Sequence, residues 1–224
     1  MTTAGAFDGL RPGRLVVVAG TATEVGKTWV SCRILRDLRA AGLDVIARKP
    51  AQSFDPADPT TDAHLLGDAT GESAHEVCPR SRWYPMAMAP PMAAAALERP
   101  SFTVDDLVAE IDWPLPAPDI ALVESAGGVR SPLADDGDTI TLIERLQPDL
   151  VLLVADAGLG TINSVALSLE AIDRGAHVAR PVVVLNRFDP LDDLHHRNRD
   201  WLVQRLGVEA YSSVPQVLAA VREG

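Results

Sequence analysis

The segment LVVVAGTATEVGKTWVSCRIL (Leu15–Leu35) constrains this chain more than any other. A valine-rich apolar run, Leu15–Ala19, meets Gly20. Small and hydroxyl residues follow, then Gly26-Lys27-Thr28, then apolar residues at helical spacing. An apolar run without polar alternation suits a strand buried on both faces, as in a parallel sheet under two helical layers. Where such a strand turns into a helix, unpaired backbone N–H groups gather at the helix N-terminus and attract an anion.

The rest of the chain repeats this rhythm. Further strands are expected at Asp44–Arg48, Ile120–Glu124, Leu150–Ala155 and Pro181–Leu185, with a weaker one at Glu209–Ser213. Helices are expected at Gly26–Ala41, at Thr161–Arg174, where Ile162, Val165, Leu169 and Ile172 form a stripe, and at Leu191–Leu206. Strands alternating with helices of this length build βαβ units: an α/β domain with a mostly parallel, doubly wound sheet and helices on both faces. With 224 residues and 47% hydrophobic content, one domain over 14–224 accounts for the chain, preceded by a flexible lead-in at 1–13. The Pro-, Met- and Ala-rich stretch Tyr84–Pro100 reads as a loop with a short helix, and a long loop in a compact domain is often functional.

The net charge of −11 argues against nucleic-acid or anionic-membrane surfaces, which require a basic patch. No apolar run approaches the roughly 18 residues of a membrane helix, and the first residues lack a signal-peptide apolar core. Two isolated cysteines, Cys32 and Cys78, give neither a disulfide framework nor a zinc set, so a cytoplasmic location is expected. The five histidines form no metal-binding pattern and read as surface or structural residues.

The anion can be specified. A phosphate loop needs small residues that turn backbone N–H groups inward. It also needs a lysine for the outer phosphates, an adjacent hydroxyl for Mg²⁺, and a helix start facing the anion. Gly20 to Thr28 supplies all four, although five residues rather than the usual four separate Gly20 from Gly26-Lys27-Thr28.

With that spacing, GTATEVGKT resembles the phosphate loop of the dethiobiotin synthetase family, GTxTxVGKT. RKPAQS (Arg48–Ser53), TTDAHLLG (Thr60–Gly67), MAPPMAA (Met88–Ala94), LVESAGG (Leu122–Gly128), DAGLGTINSVALSLEAI (Asp156–Ile172) and VVVLNRFDP (Val182–Pro190) resemble later segments of that family, in the same order. The resemblance implies a single-domain P-loop NTPase fold and an ATP- and Mg²⁺-dependent ring closure. A diamine substrate, 7,8-diaminopelargonic acid, takes up CO₂ as a carbamate. The carbamate attacks the γ-phosphate of ATP, and the second amine closes the ring. ATP and CO₂ are thus co-substrates in biotin biosynthesis.

Roles follow from the resemblance and from side-chain chemistry together. Lys27 and Lys49 are the expected catalytic cations, with Thr23 adding a hydrogen bond to the same anionic centre. Thr23, Glu24, Val25, Gly26, Lys27, Thr28 and Val30 would bind ATP along with Glu124. Asn186 offers a donor and an acceptor to the base, with Val214 and Pro215 packed beside it. Thr28, Asp62 and Glu124 are the expected magnesium ligands, hard oxygens of the kind that ion takes. Glu124 ends an apolar strand, where a buried glutamate would be costly without a cation. Ser53, Ser125, Ala126, Gly127 and Gly128 are the expected substrate contacts. Gly160, Thr161, Ile162 and Asn163 open a helix whose N–H groups suit the substrate carboxylate. In the family this helix comes from the neighbouring subunit, which implies a homodimer with sites at the interface.

Plainer explanations exist for several of these residues. Lys49 could be a strand-end surface lysine, Asp62 a helix-dipole partner, Ser53 turn chemistry and Thr161 or Asn163 a cap. The sequence departs from the family pattern on the substrate side. Ser125 replaces a glycine and is expected to crowd the amines, Phe54 and Ser164 replace family residues, and Arg130 adds a cation. Two other readings therefore stand beside the first: a paralogous ATP-dependent ligase for another amine or carboxylate, and a non-catalytic, ATP-switched partner-binding module.

Overall fold

A computed structural model describes residues 11–58, 60–176 and 181–223. The elements run β1 (Arg14–Gly20), α1 (Lys27–Ala40), β2 (Val45–Arg48), β3 (Gln52–Ser53), α2 (Asp62–Thr70), α3 (Ala74–Val77), β4 (Trp83–Tyr84), α4 (Pro90–Ala96), α5 (Val104–Ala109), β5 (Ile120–Glu124), β6 (Pro132–Ala134), β7 (Gly137–Asp138), α6 (Thr139–Leu146), β8 (Leu150–Asp156), α7 (Thr161–Gly175), β9 (Val182–Asn186), α8 (Asp193–Leu206), β10 (Ala210–Tyr211) and α9 (Val214–Arg222). The main sheet has the order β10-β9-β8-β1-β5-β2, and every pairing in it is parallel. All six expected strands are present in it, each within a few residues of the expected limits.

The valine run of β1 is buried on both faces, as its composition predicts. Leu15, Val17 and Ala19 belong to a core shared with Ile140, Ile143 and Leu146 of α6 and Val165, Leu169 and Ile172 of α7. Val16 and Val18 point the other way, to Ile34, Leu35 and Leu38 of α1, Leu66 of α2 and Val217 of α9. The period-2 alternation of a strand thus feeds two separate cores. The expected stripe on α7 is buried at Val165, Leu169 and Ile172, while Ile162 at its start is only partly covered.

The topology fixes where a ligand can sit. From β1 the chain passes through α1 to β2, beyond β5; β8, β9 and β10 extend the sheet in the opposite direction. Connections diverging around a central strand open a crevice at the strands' carboxyl ends. There, Val18 of β1 pairs with Glu124 of β5, and Arg48 of β2 pairs with Val123. Lys49, one residue past Arg48, is therefore level with Glu124.

Residues 1–10 of the expected lead-in lie outside the described residues. Arg11 bonds to Gln147 O and Asp149, and Gly13 N donates to Pro118 O. Among the described residues no helix is long and apolar enough to cross a membrane.

Candidate active site

The loop after β1 is shaped by two backbone requirements. Gly26, the residue capping α1, has φ +90°, and a Cβ there would fall 2.1 Å from Asn186 Nδ2. Gly20 leaves room for the Lys27 side chain, since a Cβ would stand 2.9 Å from its Nζ. The first turn of α1 carries no acidic side chain to compete for its N–H groups. Two consecutive residues at the end of β9 hold the loop from one side. Asn186 Nδ2 donates to Val25 O at 2.9 Å, and Arg187 Nη2 donates to Glu24 O at 2.8 Å. Arg187 also pairs with Asp156 at 2.8 Å. The Asp156 carboxyl is held below its usual range by the Gly158 N–H first, and by Arg187 against partial burial.

On the other side of the loop a buried charge cluster forms. Thr28 Oγ1 donates within reach of Asp62 Oδ1 (2.8 Å) and Glu124 Oε1 (2.9 Å), and Ser31 Oγ donates to Glu124 Oε2 at 2.7 Å. Lys49 Nζ bonds Asp62 Oδ2 at 2.7 Å and Glu124 Oε1 at 2.8 Å. Glu124 is fully buried and Lys49 almost so. Burial works against the Lys49 charge, but Asp62 and then Glu124 outweigh it and hold the ammonium protonated above its ordinary range. Lys49 in turn holds the Asp62 carboxyl low. Lys27 Nζ donates to Gly127 O at 2.8 Å and Ala22 O at 3.2 Å. Burial, and then Lys49, lower its pKa to about 8.

The donor set fits magnesium. One hydroxyl and two carboxylates, all hard oxygens, converge within hydrogen-bond distance, the partial set Mg²⁺ takes when phosphates and water supply the rest. Among the described residues no group of three or more His, Cys, Asp or Glu could hold a metal unaided.

Two clefts meet at Gly26. A cleft of about 670 Å³ is lined by Thr23, Glu24, Gly26, Lys27, Thr28, Lys49, Ser53, Asp62, Ala126 and Gly127, with Phe54 and Met88–Pro90 on its far wall. Met88–Pro90 come from the Pro- and Met-rich stretch, which forms the expected loop and short helix α4; Ser53 Oγ donates to Met88 O at 2.5 Å. A second cleft of about 390 Å³, mainly apolar, is lined by Val30, Asn186 and Val214 with Trp29, Phe188 and Ser212.

Several expected residues fall outside these clefts. Pro215 is exposed in the first turn of α9 and does not line the apolar cleft. Val25 and Gly128 do not line the larger one. Ser125 is fully buried, and its Oγ has no hydrogen-bond partner. Its side chain therefore does not crowd the cleft, because the strand's alternation turns it inward. Arg130 is exposed and paired with Asp138 at 2.9 Å. Gly160–Asn163 begin α7 and do not line the cleft in the single chain. Of the histidines, His195 Nδ1 accepts from Asp189 N and His75 packs on Trp83, both structural contacts, while His177 lies outside the described residues.

Ser31, Trp29, Arg187 and Gln52 are among the residues of these sites that were not read from the sequence. Ser31 follows Thr28 at i+3, a spacing that places both on one helix face. Trp29 is 60% exposed beside the phosphate loop, an unusual place for tryptophan. Arg187 adjoins Asn186. Gln52 carried no sequence signal.

A family model described as "AAA domain" matches residues 14–223. An ATP-dependent dethiobiotin synthetase of Anaeromyxobacter sp. (strain K) is 43% identical over 184 residues, covering 80% of this chain and 79% of the relative. That of Caulobacter vibrioides (strain NA1000 / CB15N) is 38% identical over 217 residues, covering 92% of each. That of Haloferax mediterranei is 37% identical over 206 residues, covering 90% of this chain and 84% of the relative. Among solved structures, a DUF1611 family protein from Anabaena variabilis superposes with TM-score 0.52 at 16% identity, covering 100% of this chain and 61% of that one. The signal recognition particle receptor FtsY from Elizabethkingia anophelis gives 0.51 at 15% identity, covering 90% and 60%. The chain thus spans about three fifths of these two structures, and at such identities they speak for the fold alone. The curated relatives carry the assignment further: at 37–43% identity over most of its length, this chain belongs to the ATP-dependent dethiobiotin synthetase family.

Proposed function

We propose that this protein forms dethiobiotin from 7,8-diaminopelargonic acid, CO₂ and ATP, as a ligase of biotin biosynthesis. The observation that carries this reading is the contact network of Thr28, Lys49, Asp62 and Glu124, three of which line one cleft together with Lys27.

One amine of the substrate adds to CO₂ and loses a proton, giving a carbamate. A carbamate oxygen attacks the γ-phosphorus of ATP and ADP leaves. The second amine attacks the carbamate carbon, phosphate leaves, the new C–N nitrogen loses a proton, and the ureido ring closes. Lys49 lies beside the reacting groups, fixed by two carboxylates, and offsets the charge of the carbamate and of the transferring phosphoryl group. Lys27 meets the outer phosphates; a triphosphate there raises its pKa again and keeps it charged at neutral pH. Thr28, Asp62 and Glu124 would hold magnesium, which supplies neutralisation of the phosphate oxygens. Thr23, Ser53, Ala126 and Gly127 border the diamine, and Phe54 and Met88 offer its chain an apolar wall. The base occupies the apolar cleft between Trp29 and Asn186, with Val30 and Val214 beside it.

The protein acts as a cytoplasmic homodimer, with no nucleic-acid or membrane partner. The N-terminus of α7, from Gly160 to Asn163, completes the partner's site by holding the substrate carboxylate. Support comes from its position outside its own chain's cleft and from the exposed Leu159 and Leu167 beside it.

Incubation with the diamine, bicarbonate, ATP and Mg²⁺ should yield dethiobiotin and phosphate in equal amounts, read by mass spectrometry and phosphate release. Phosphate without dethiobiotin would reject the substrate. For the shared site, Lys49→Ala and Asn163→Asp should each be inactive. After subunit exchange, mixed dimers should recover about a quarter of parental activity, because half the dimers carry one intact site; no recovery would reject sharing.

A further inference from the structure

We propose that Gln52 is a positioning residue for Asp62: it anchors the residues on either side of that carboxylate and so sets its place beside Thr28 and Lys49. This rests on Asp62 being a ligand of the magnesium that accompanies ATP.

Lys49 and Gln52 lie on one short segment after β2. Lys49 Nζ meets Asp62 Oδ2 at 2.7 Å. Gln52 Nε2 donates to Thr61 Oγ1 at 3.2 Å, and Gln52 Oε1 accepts from Ala63 N at 3.1 Å. One segment therefore grips three consecutive residues at the start of α2. The amide orientation is dictated, because Ala63 N can only donate and must face the oxygen. The Thr61 hydroxyl, having accepted from Gln52, is free to donate to His64 Nδ1 at 3.0 Å, which also accepts from Thr61 N.

Gln52, Thr61 and Ala63 are all buried, so water does not replace these bonds. The Ala63 N–H is one of the donors a helix leaves unpaired at its start, and here another element satisfies it. Ionic contacts around Asp62 rearrange when a metal and phosphates arrive, whereas the Gln52 bonds hold the backbone. They keep Asp62 Oδ1 near Thr28 Oγ1 and Glu124, the convergence a shared cation needs. Groups that orient a ligand typically change metal affinity by about 10- to 100-fold when removed.

The test is Mn²⁺ binding, read by electron paramagnetic resonance in the full-length protein with a non-hydrolysable ATP analogue. Gln52→Met should weaken Mn²⁺ about 10- to 100-fold, with kcat falling more than the KM for the diamine. In an Asp62→Asn background the same change should add less than about twofold, since Gln52 acts through Asp62. Equal losses in both backgrounds, or no loss in the parent, overturn the proposal. If Asp62→Asn alone leaves Mn²⁺ affinity unchanged, the metal role of Asp62 fails, and the Gln52 role falls with it for that distinct reason. Should Gln52→Met not fold, Thr61→Val removes one of the two anchors. It should give a smaller loss of the same kind, and unchanged Mn²⁺ affinity there overturns the proposal equally.

Discussion

Replacing Lys27 by methionine should make the nucleotide-free protein more stable while abolishing turnover. Lys27 is buried, and among the described residues its ammonium hydrogen-bonds to the carbonyls of Gly127 and Ala22. Burial and Lys49 bring its pKa from 10.5 to about 8, although Glu124 and Asp62 pull the other way. A lysine whose pKa is lower folded than unfolded opposes folding fully below pH 8, and the penalty fades as pH rises toward 10.5. At about 1.4 kcal/mol for each pKa unit, the penalty at neutral pH is about 3 kcal/mol. Methionine fills similar volume without charge but leaves the two carbonyls unpaired, at about 1 kcal/mol each or less. The net expectation is a gain of about 1 to 2 kcal/mol at pH 7, shrinking between pH 8 and 9 as the parent recovers. Urea denaturation followed by tryptophan fluorescence would measure it, without nucleotide. The window ends near pH 9 for the parent's own curve. Above that, Cys32 and Cys78, whose thiols burial pushes up to about 12, ionise first in the unfolded chain and lower stability. With ATP and Mg²⁺ the order should reverse, since only the parent binds the triphosphate tightly. A methionine variant equal to or less stable than the parent at pH 7 would refute the burial argument. An advantage unchanged from pH 7 to 9 would refute the titration argument.

Lys49→Met removes the cation in direct contact with both Asp62 and Glu124, so unfolding should become easier by about 3–5 kcal/mol at pH 7. Asp62, held low by Lys49, contributes stability above its unfolded pKa of 3.8 and loses it as pH falls through the folded value. The variant's deficit should therefore narrow below about pH 4; a constant deficit would count against the pairing. Gly26→Ala combines a left-handed backbone with a Cβ 2.1 Å from Asn186 Nδ2, and ATP affinity by calorimetry should fall at least about tenfold. Trp29→Ala should raise the ATP dissociation constant by about 10-fold or more, as expected for a lost stacking surface. Trp29→Phe should retain most of the affinity, and equal affinities in all three would remove Trp29 from the base cleft.

The sequence by itself determined the local chemistry. An unbroken apolar run means a strand covered on both faces, and β1 feeds one core with Leu15 and Val17 and another with Val16 and Val18. Glycine spacing, a lysine and a hydroxyl at a helix start mean a phosphate site, because those requirements are local to about ten residues. Only the tertiary structure decided which distant residues share that site. Lys49, Asp62 and Glu124 are separated along the chain by segments whose lengths carry no distance information. It is the β1·β5·β2 register that brings Lys49 level with Glu124. Ser125 lies inward and out of the cleft, against expectation: alternation puts it on the face opposite Glu124, and the sequence does not say which face the cleft borders. Gln52 was illegible for a related reason: an amide has no preferred partner in sequence, and its two bonds exist only because β3 passes the start of α2.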